Sequence, residues 1–187
     1  MVRVAPGVRT SPNTTGGTPG AVNRSAVANA GPTFDALNHA PAVPAVAEAA
    51  TVSVSVADPD GIASVELFTA LNGAAFTSVP MTTTGSGRYS ATVPGNTAGA
   101  RVQFYVRATD TPGAVSFFPA AGPASRAMIL WQDGKAILQM PSGARPHNIR
   151  IVLTGADANQ LYRLDNVMSN GSFPCTVILD EREIYYG

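Results

Sequence analysis

From Thr51 the chain alternates. In TVSVSVAD, Val52, Val54 and Val56 fall on one side of an extended backbone and Thr51, Ser53 and Ser55 on the other, the two-residue period of a half-buried strand. Asp58-Pro59-Asp60-Gly61 supplies a turn, with proline fixing φ and glycine accepting positive φ. IASVELFTAL then sets Val65 and Leu67 against Glu66 and Phe68, and Asn72-Gly73 is a hairpin signal. AAFTSVPM predicts a further strand. Gly85-Ser86-Gly87 turns into RYSATV, where Tyr89, Ala91 and Val93 alternate with polar neighbours until Pro94-Gly95.

The clearest strand is RVQFYVRATD. Val102, Phe104, Val106 and Ala108 share one face, while Arg101, Gln103, Tyr105, Arg107 and Thr109 share the other. Thr111-Pro112-Gly113 leads into AVSFF, and RAMILW closes the series before Gln132-Asp133-Gly134. Phe117 and Phe118 are adjacent, so a regular strand sends only one into the core, and the other is expected to dock against a following domain. Short strands at intervals of roughly 8–12 residues, separated by turn signals, predict an antiparallel β-sandwich over residues 32–131.

The flanks read differently. Residues 1–31 are rich in Gly, Pro, Ser, Thr and Asn without a sustained period, the texture of a linker or the end of a preceding domain. Pro32, Pro41 and Pro44 hold the Ala/Pro-rich stretch 32–50 in extended geometry. Residues 132–146 read as a second linker. Beyond Pro146, HNIRIVLTG predicts a buried strand. Thr154 is placed to cap a short helix over ADANQLYRL, with Asp157 in its first turn and Ala158, Leu161 and Tyr162 at helical spacing. CTVILDEREIYYG predicts a hairpin turning near Asp180-Glu181, with Cys175 buried in an apolar strand. At this size residues 147–187 make a marginal core alone. They are expected to be the incomplete α+β start of a larger domain.

Composition narrows the function. Hydrophobic residues make up 45% of the 187, enough for a core. Twelve basic and twelve acidic side chains cancel, so no electrostatic footprint for nucleic acid exists. No stretch approaches the ~20 apolar residues of a membrane-spanning helix. The N-terminal residues lack the apolar run of a secretory signal, and the expectation is a chain that starts inside a longer extracellular or cell-surface protein. With Cys175 the only cysteine, no internal disulfide forms.

Candidate sites are few. Asp58 and Asp60 pair carboxylates in a turn, as a calcium loop does, but such an ion takes about six or more oxygens and turn formation accounts for both. His39 and His147 lie far apart without the spacing of a metal motif. Gly85-Ser86-Gly87 resembles a phosphate-binding glycine loop only superficially, since no lysine follows it. Arg101, Tyr105 and Arg107 share a polar strand face and form a candidate binding surface. Asn13, Asn23 and Asn170 stand in glycosylation sequons.

Three stretches, taken in order, carry a resemblance. SPNTTGGTPGAVN is similar to the close of a lamin-tail-type domain. VSVSVADPDGIASVELF through RYSATVPG to VQFYVRATDTPG is similar to the immunoglobulin-like or fibronectin-III-type β-sandwich module that follows such a domain. HNIRIVLTGADANQLYRLDNVMSNGSFPCTVILDEREIYYG resembles the entry to a CotH-type kinase domain, named for a spore-coat protein. The resemblance implies a bacterial secreted or surface multidomain protein, whose complete kinase-like domain uses ATP and a divalent metal. In that family the segment like EIYYG runs on into an Arg-Leu-Lys-Gly stretch, and the nucleotide- and metal-binding acids lie beyond it. None of those residues falls on a position of this chain. Phosphoryl transfer needs a cation on the phosphates, carboxylates on metal and a positioned base; the only lysine, Lys135, precedes the kinase-like segment, and Asp180, Glu181 and Glu183 sit in a hairpin. The expectation is therefore a non-catalytic fragment that needs no cofactor of its own. Its sandwich would act as spacer or docking module, with other domains of the same parent chain as partners. The alternative is an adhesion module binding a cell-surface glycan or protein.

Overall fold

The alternating valines build two facing sheets. The computed structural model describes residues 29–135, 147–166 and 169–187, so the lamin-tail-like stretch and the sequons at Asn13 and Asn23 lie outside the described residues, as do 136–146 of the second linker. One sheet takes β1 (Thr33–Ala40), β2 (Ala50–Ala57), β6 (Arg88–Val93) and β5 (Thr82–Gly85) in the order β1-β2-β6-β5. The other takes β4 (Thr77–Pro80), β3 (Ile62–Leu71), β7 (Arg101–Asp110) and β8 (Val115–Phe118) in the order β4-β3-β7-β8, with β9 (Met128–Leu130) also pairing β7. Pairings are antiparallel throughout. Relabelled by letter, this is A-B-E-D against C′-C-F-G, the immunoglobulin arrangement of strands.

Between the sheets lie Val52, Val54, Leu67, Phe104, Val106, Ile129 and Trp131, all fully buried. The Trp131 indole donates to the Glu48 carbonyl, 2.8 Å away, which satisfies its only polar atom. The predicted turns are present. Asn72 and Gly73 take φ of 49° and 84° between β3 and β4, and Gly85, Ser86 and Gly87 close the β5–β6 hairpin with φ of 98°, 51° and 72°.

Two expectations are corrected here. The Ala/Pro-rich stretch holds a true strand, β1, hidden because its rhythm is broken. Ala36 sits at φ 51°, and the register with β2 shifts between Asp35 and Asn38, so Phe34 and Leu37 both meet the core although they are three residues apart. Alternation cannot detect a strand that carries a bulge. Phe117 does not wait for another domain: Phe118 packs inward, stacked on Phe34 with centroids 5.5 Å apart, while Phe117 packs edge-on against Tyr105 on the outer face.

The C-terminal segment does not stand apart from the sandwich. It forms β10 (Ile149–Val152), α1 (Gly155–Leu161), β11 (Thr176–Leu179) and β12 (Glu183–Tyr186), the strands making an antiparallel sheet in the order β10-β11-β12. Thr154 caps α1 by accepting from the Asp157 amide, and Asp180 and Glu181 turn the β11–β12 hairpin at φ of 52° and 57°. One face of this sheet packs Val152, Ile178 and Ile184 against Ala42, Val43, Met128 and Leu130. Thr176, fully buried, joins the two backbones: its hydroxyl accepts from the Met128 amide at 2.9 Å and donates to the Arg126 carbonyl. Gly31–Gly187 are accordingly one compact unit. β10 is not the buried strand expected of HNIRIVLTG, because it lies at an edge with Ile149 60% and Ile151 64% exposed.

Thr176→Val keeps the shape and removes the hydroxyl, stranding a buried amide and a part-buried carbonyl. Urea unfolding should show a loss of about 1–3 kcal/mol in a single transition, whereas no loss would mean that the hydroxyl does not hold the two parts together.

Candidate functional site

Strand β7 places the predicted surface, and the fold divides it. Tyr105 is only 6% exposed. Its ring stacks on Phe68 at 4.7 Å between centroids, with Phe76 at 5.1 Å and Phe117 at 5.9 Å edge-on. These four rings are a second, small apolar cluster on the outer face of the sheet, worth about 0.5–1.5 kcal/mol per aromatic pair beyond the area buried. Burial among them pushes the Tyr105 hydroxyl above its ordinary pKa. The expectation of Tyr105 as part of an open binding surface is therefore corrected, since its side chain is covered.

Arg107 belongs to the same cluster. Its guanidinium lies 4.9 Å from the Phe68 ring centroid and pairs with Glu66, Nε to Oε2 being 3.0 Å. Arg101 sits six residues up the strand, roughly 20 Å away, and meets different neighbours. Its Nη1 donates to the Leu153 carbonyl at 3.1 Å, and its backbone amide donates to Asn72 Oδ1 at 3.0 Å. Arg101 lines a cleft of about 420 Å³ with Gln103, Arg126, Met128 and Thr154. Arg126 is held there by Asp157, whose carboxyl the guanidinium keeps below the ordinary aspartate range. On the strand face between Arg101 and Arg107, the side chain of Tyr105 is covered by its neighbouring rings.

The remaining candidates resolve into structural roles. Asp58 Oδ1 accepts from the Asp60 amide at 2.8 Å, and its carbonyl accepts from Gly61. Both bonds are those of a turn, and among the described residues no three His, Cys, Asp or Glu side chains come together. The hairpin acids are likewise engaged. Glu181 accepts from Arg150 Nε at 2.6 Å and from Asn148 at 2.7 Å, while Arg150 also reaches Asp133 at 3.2 Å. Asp180 accepts from His147 and from the Asn148 amide, each at 2.7 Å. Lys135 lies 3.7 Å from Asp133. Asp133, Asp180 and Glu181 are thus each engaged with a cation or an amide. Cys175 is half-buried and precedes β11, so it is not the core residue expected. Asn170 is exposed.

Sequence reasoning missed the role of His39. It is fully buried in β1, ringed by Phe104 and Tyr186. Nε2 lies 3.1 Å from the Ala42 carbonyl, an acceptor only, so that nitrogen carries the proton. Nδ1 is then the acceptor, and the Tyr186 hydroxyl donates to it at 2.6 Å. Burial lowers the His39 pKa to about 4, opposed by the bond to Ala42, and raises that of the Tyr186 hydroxyl. A neutral imidazole thus pins the last strand to the first. Nothing in the sequence signals it, since the partners are 147 positions apart.

No family model matches the chain, and no curated protein matches it. One solved structure, described as "Crystal structure of Br derivative BhCBM56", aligns over 45% of this chain and 78% of its own at 11% identity and a TM-score of 0.32; so loose a likeness carries no argument. The fold itself is mainly β, an antiparallel sandwich with a small α-containing segment. No helix among the described residues is long and apolar enough to cross a membrane.

Because His39 is neutral when folded, folding costs more as pH falls from 6.5, the unfolded value, toward 4. Stability is complete above that window and should drop by about 3 kcal/mol across it. An NMR titration should show one histidine moving near pH 4 and the other, His147, above 6.5 because Asp180 holds its proton. Two ordinary titrations near 6.5 would contradict the buried pair.

Proposed function

We propose that this chain is a non-catalytic docking module from a CotH-kinase-type, bacterial secreted or cell-surface protein, in which the sandwich carries the first sheet of a kinase-like domain. The observation that supports the reading is the outer face of β10-β11-β12. Ile149, Ile151 and Tyr185 alternate outward there, all exposed. The opposite face is apolar too and packs on the sandwich. A sheet that is apolar on both faces is a middle layer, and exposed apolar side chains on one face of a sheet mark a surface for packing. The same segment carries the resemblance to the kinase entry. In this reading ATP and metal belong to the partner domain of the parent chain, and the sandwich fixes where that domain sits.

Cysteine labelling tests it. Ile151→Cys should react freely with a thiol reagent in the 187-residue chain and at least tenfold more slowly in a longer parent protein that also binds nucleotide. Equal labelling in both, or nucleotide turnover by the short chain, would contradict the reading.

A second reading, an adhesion module for a cell-surface glycan, is favoured by one observation only, the Arg101 cleft.

A further inference from the structure

The cleft beside β7 contains a charge that the fold leaves unpaired. It opens between Asn72-Gly73, the turn Gly122–Ala124 and the start of α1, and the residues lining it include two arginines and no carboxylate. Arg126 is engaged by Asp157 and by the carbonyls of Ala124 and Ser125. Arg101 is not: its single side-chain bond goes to the Leu153 carbonyl, and among the described residues no carboxylate pairs with it. A guanidinium with free N–H groups and no counter-charge is a fork for a planar carboxylate.

The neighbouring amides narrow the ligand. Gln103 Nε2 donates to the carbonyls of Pro123 and Ser125 at 3.1 and 2.6 Å, so the end of that amide left over is its oxygen, an acceptor. Asn72 Oδ1 accepts from the Arg101 amide, leaving its NH₂ group as a donor. An acceptor next to the arginine suits a ligand that adds hydroxyl donors to its acid group. Pro123 and Met128 add apolar wall. A volume of about 420 Å³ falls at the small end of ligand pockets, roughly 300–1,000 Å³.

We propose that this cleft binds an acidic monosaccharide, the carboxylate pairing with Arg101 and the ring hydroxyls meeting Gln103 and Asn72. The proposal rests on the glycan reading above and gives it a ligand class.

The test is an NMR titration of the full chain with galacturonate, with galactose and inorganic phosphate as separate arms. Galacturonate should saturate shifts at the Gly73 and Gly155 amides with Kd of roughly 1 mM, the weak range for one small ligand. Arg101→Ala should weaken binding at least tenfold. Because that change also frees the Leu153 carbonyl, Asn72→Asp is the second variant. It keeps the Oδ1 acceptor and a residue type that tolerates positive φ, adds a negative charge to the cleft, and should weaken galacturonate by at least as much. Arg107→Ala, far down the strand, should leave Kd unchanged. Phosphate or galactose binding as tightly as galacturonate would overturn the proposal, as would binding indifferent to both cleft variants. Absence of saturation would also overturn it; if a cell-wall polysaccharide then still bound the chain, the wider glycan reading would survive without this site.

Discussion

The hydroxyl of Thr176 between the Met128 amide and the Arg126 carbonyl is the contact on which the arrangement of residues 147–187 depends. β9 ends one sheet of the sandwich by pairing only with β7. Its Met128 amide is therefore available, and a buried amide must find a partner. The side chain of another strand supplies it. Around this point Ile178 and Val152 cover Met128, and Tyr186 reaches His39 and Phe104 at the far side. The segment borrows its core from the sandwich, which is how so short a stretch becomes ordered.

That borrowing has a consequence for function. Packing one apolar face on the sandwich turns the other outward, where Ile149, Ile151 and Tyr185 lie exposed. The start of α1 then comes beside Arg101 and Gln103 at one end of β7, and together they line the cleft. The docking face and the charged cleft thus follow from a single event of packing.

The regular half of the fold was legible in the residues. Val52-Val54-Val56 and Val102-Phe104-Val106 alternate without interruption, and Asn72-Gly73 and Asp58-Pro59-Asp60-Gly61 are turns whose chemistry is local. What escaped depends on contacts far along the chain. The bulge at Ala36 hid β1. Tyr105 alternates with the core and falls on the candidate binding face, but Phe68, Phe76 and Phe117 close over it from three other segments. Arg101 and Arg107 have the same sequence periodicity, yet only the fold gives one a carboxylate and leaves the other facing a cleft. The His39–Tyr186 pair joins the two ends of the described unit, and no local pattern encodes such a pair.

The central claim is that residues 147–187 and the sandwich are one cooperative structure. Native-state hydrogen exchange measures this directly, by comparing the Ile178 amide in β11 with the Phe104 amide in β7. The account predicts that both exchange only through the same global opening, with equal free energies and equal dependence on denaturant. Exchange at Ile178 orders of magnitude faster, with Phe104 still protected, would contradict it.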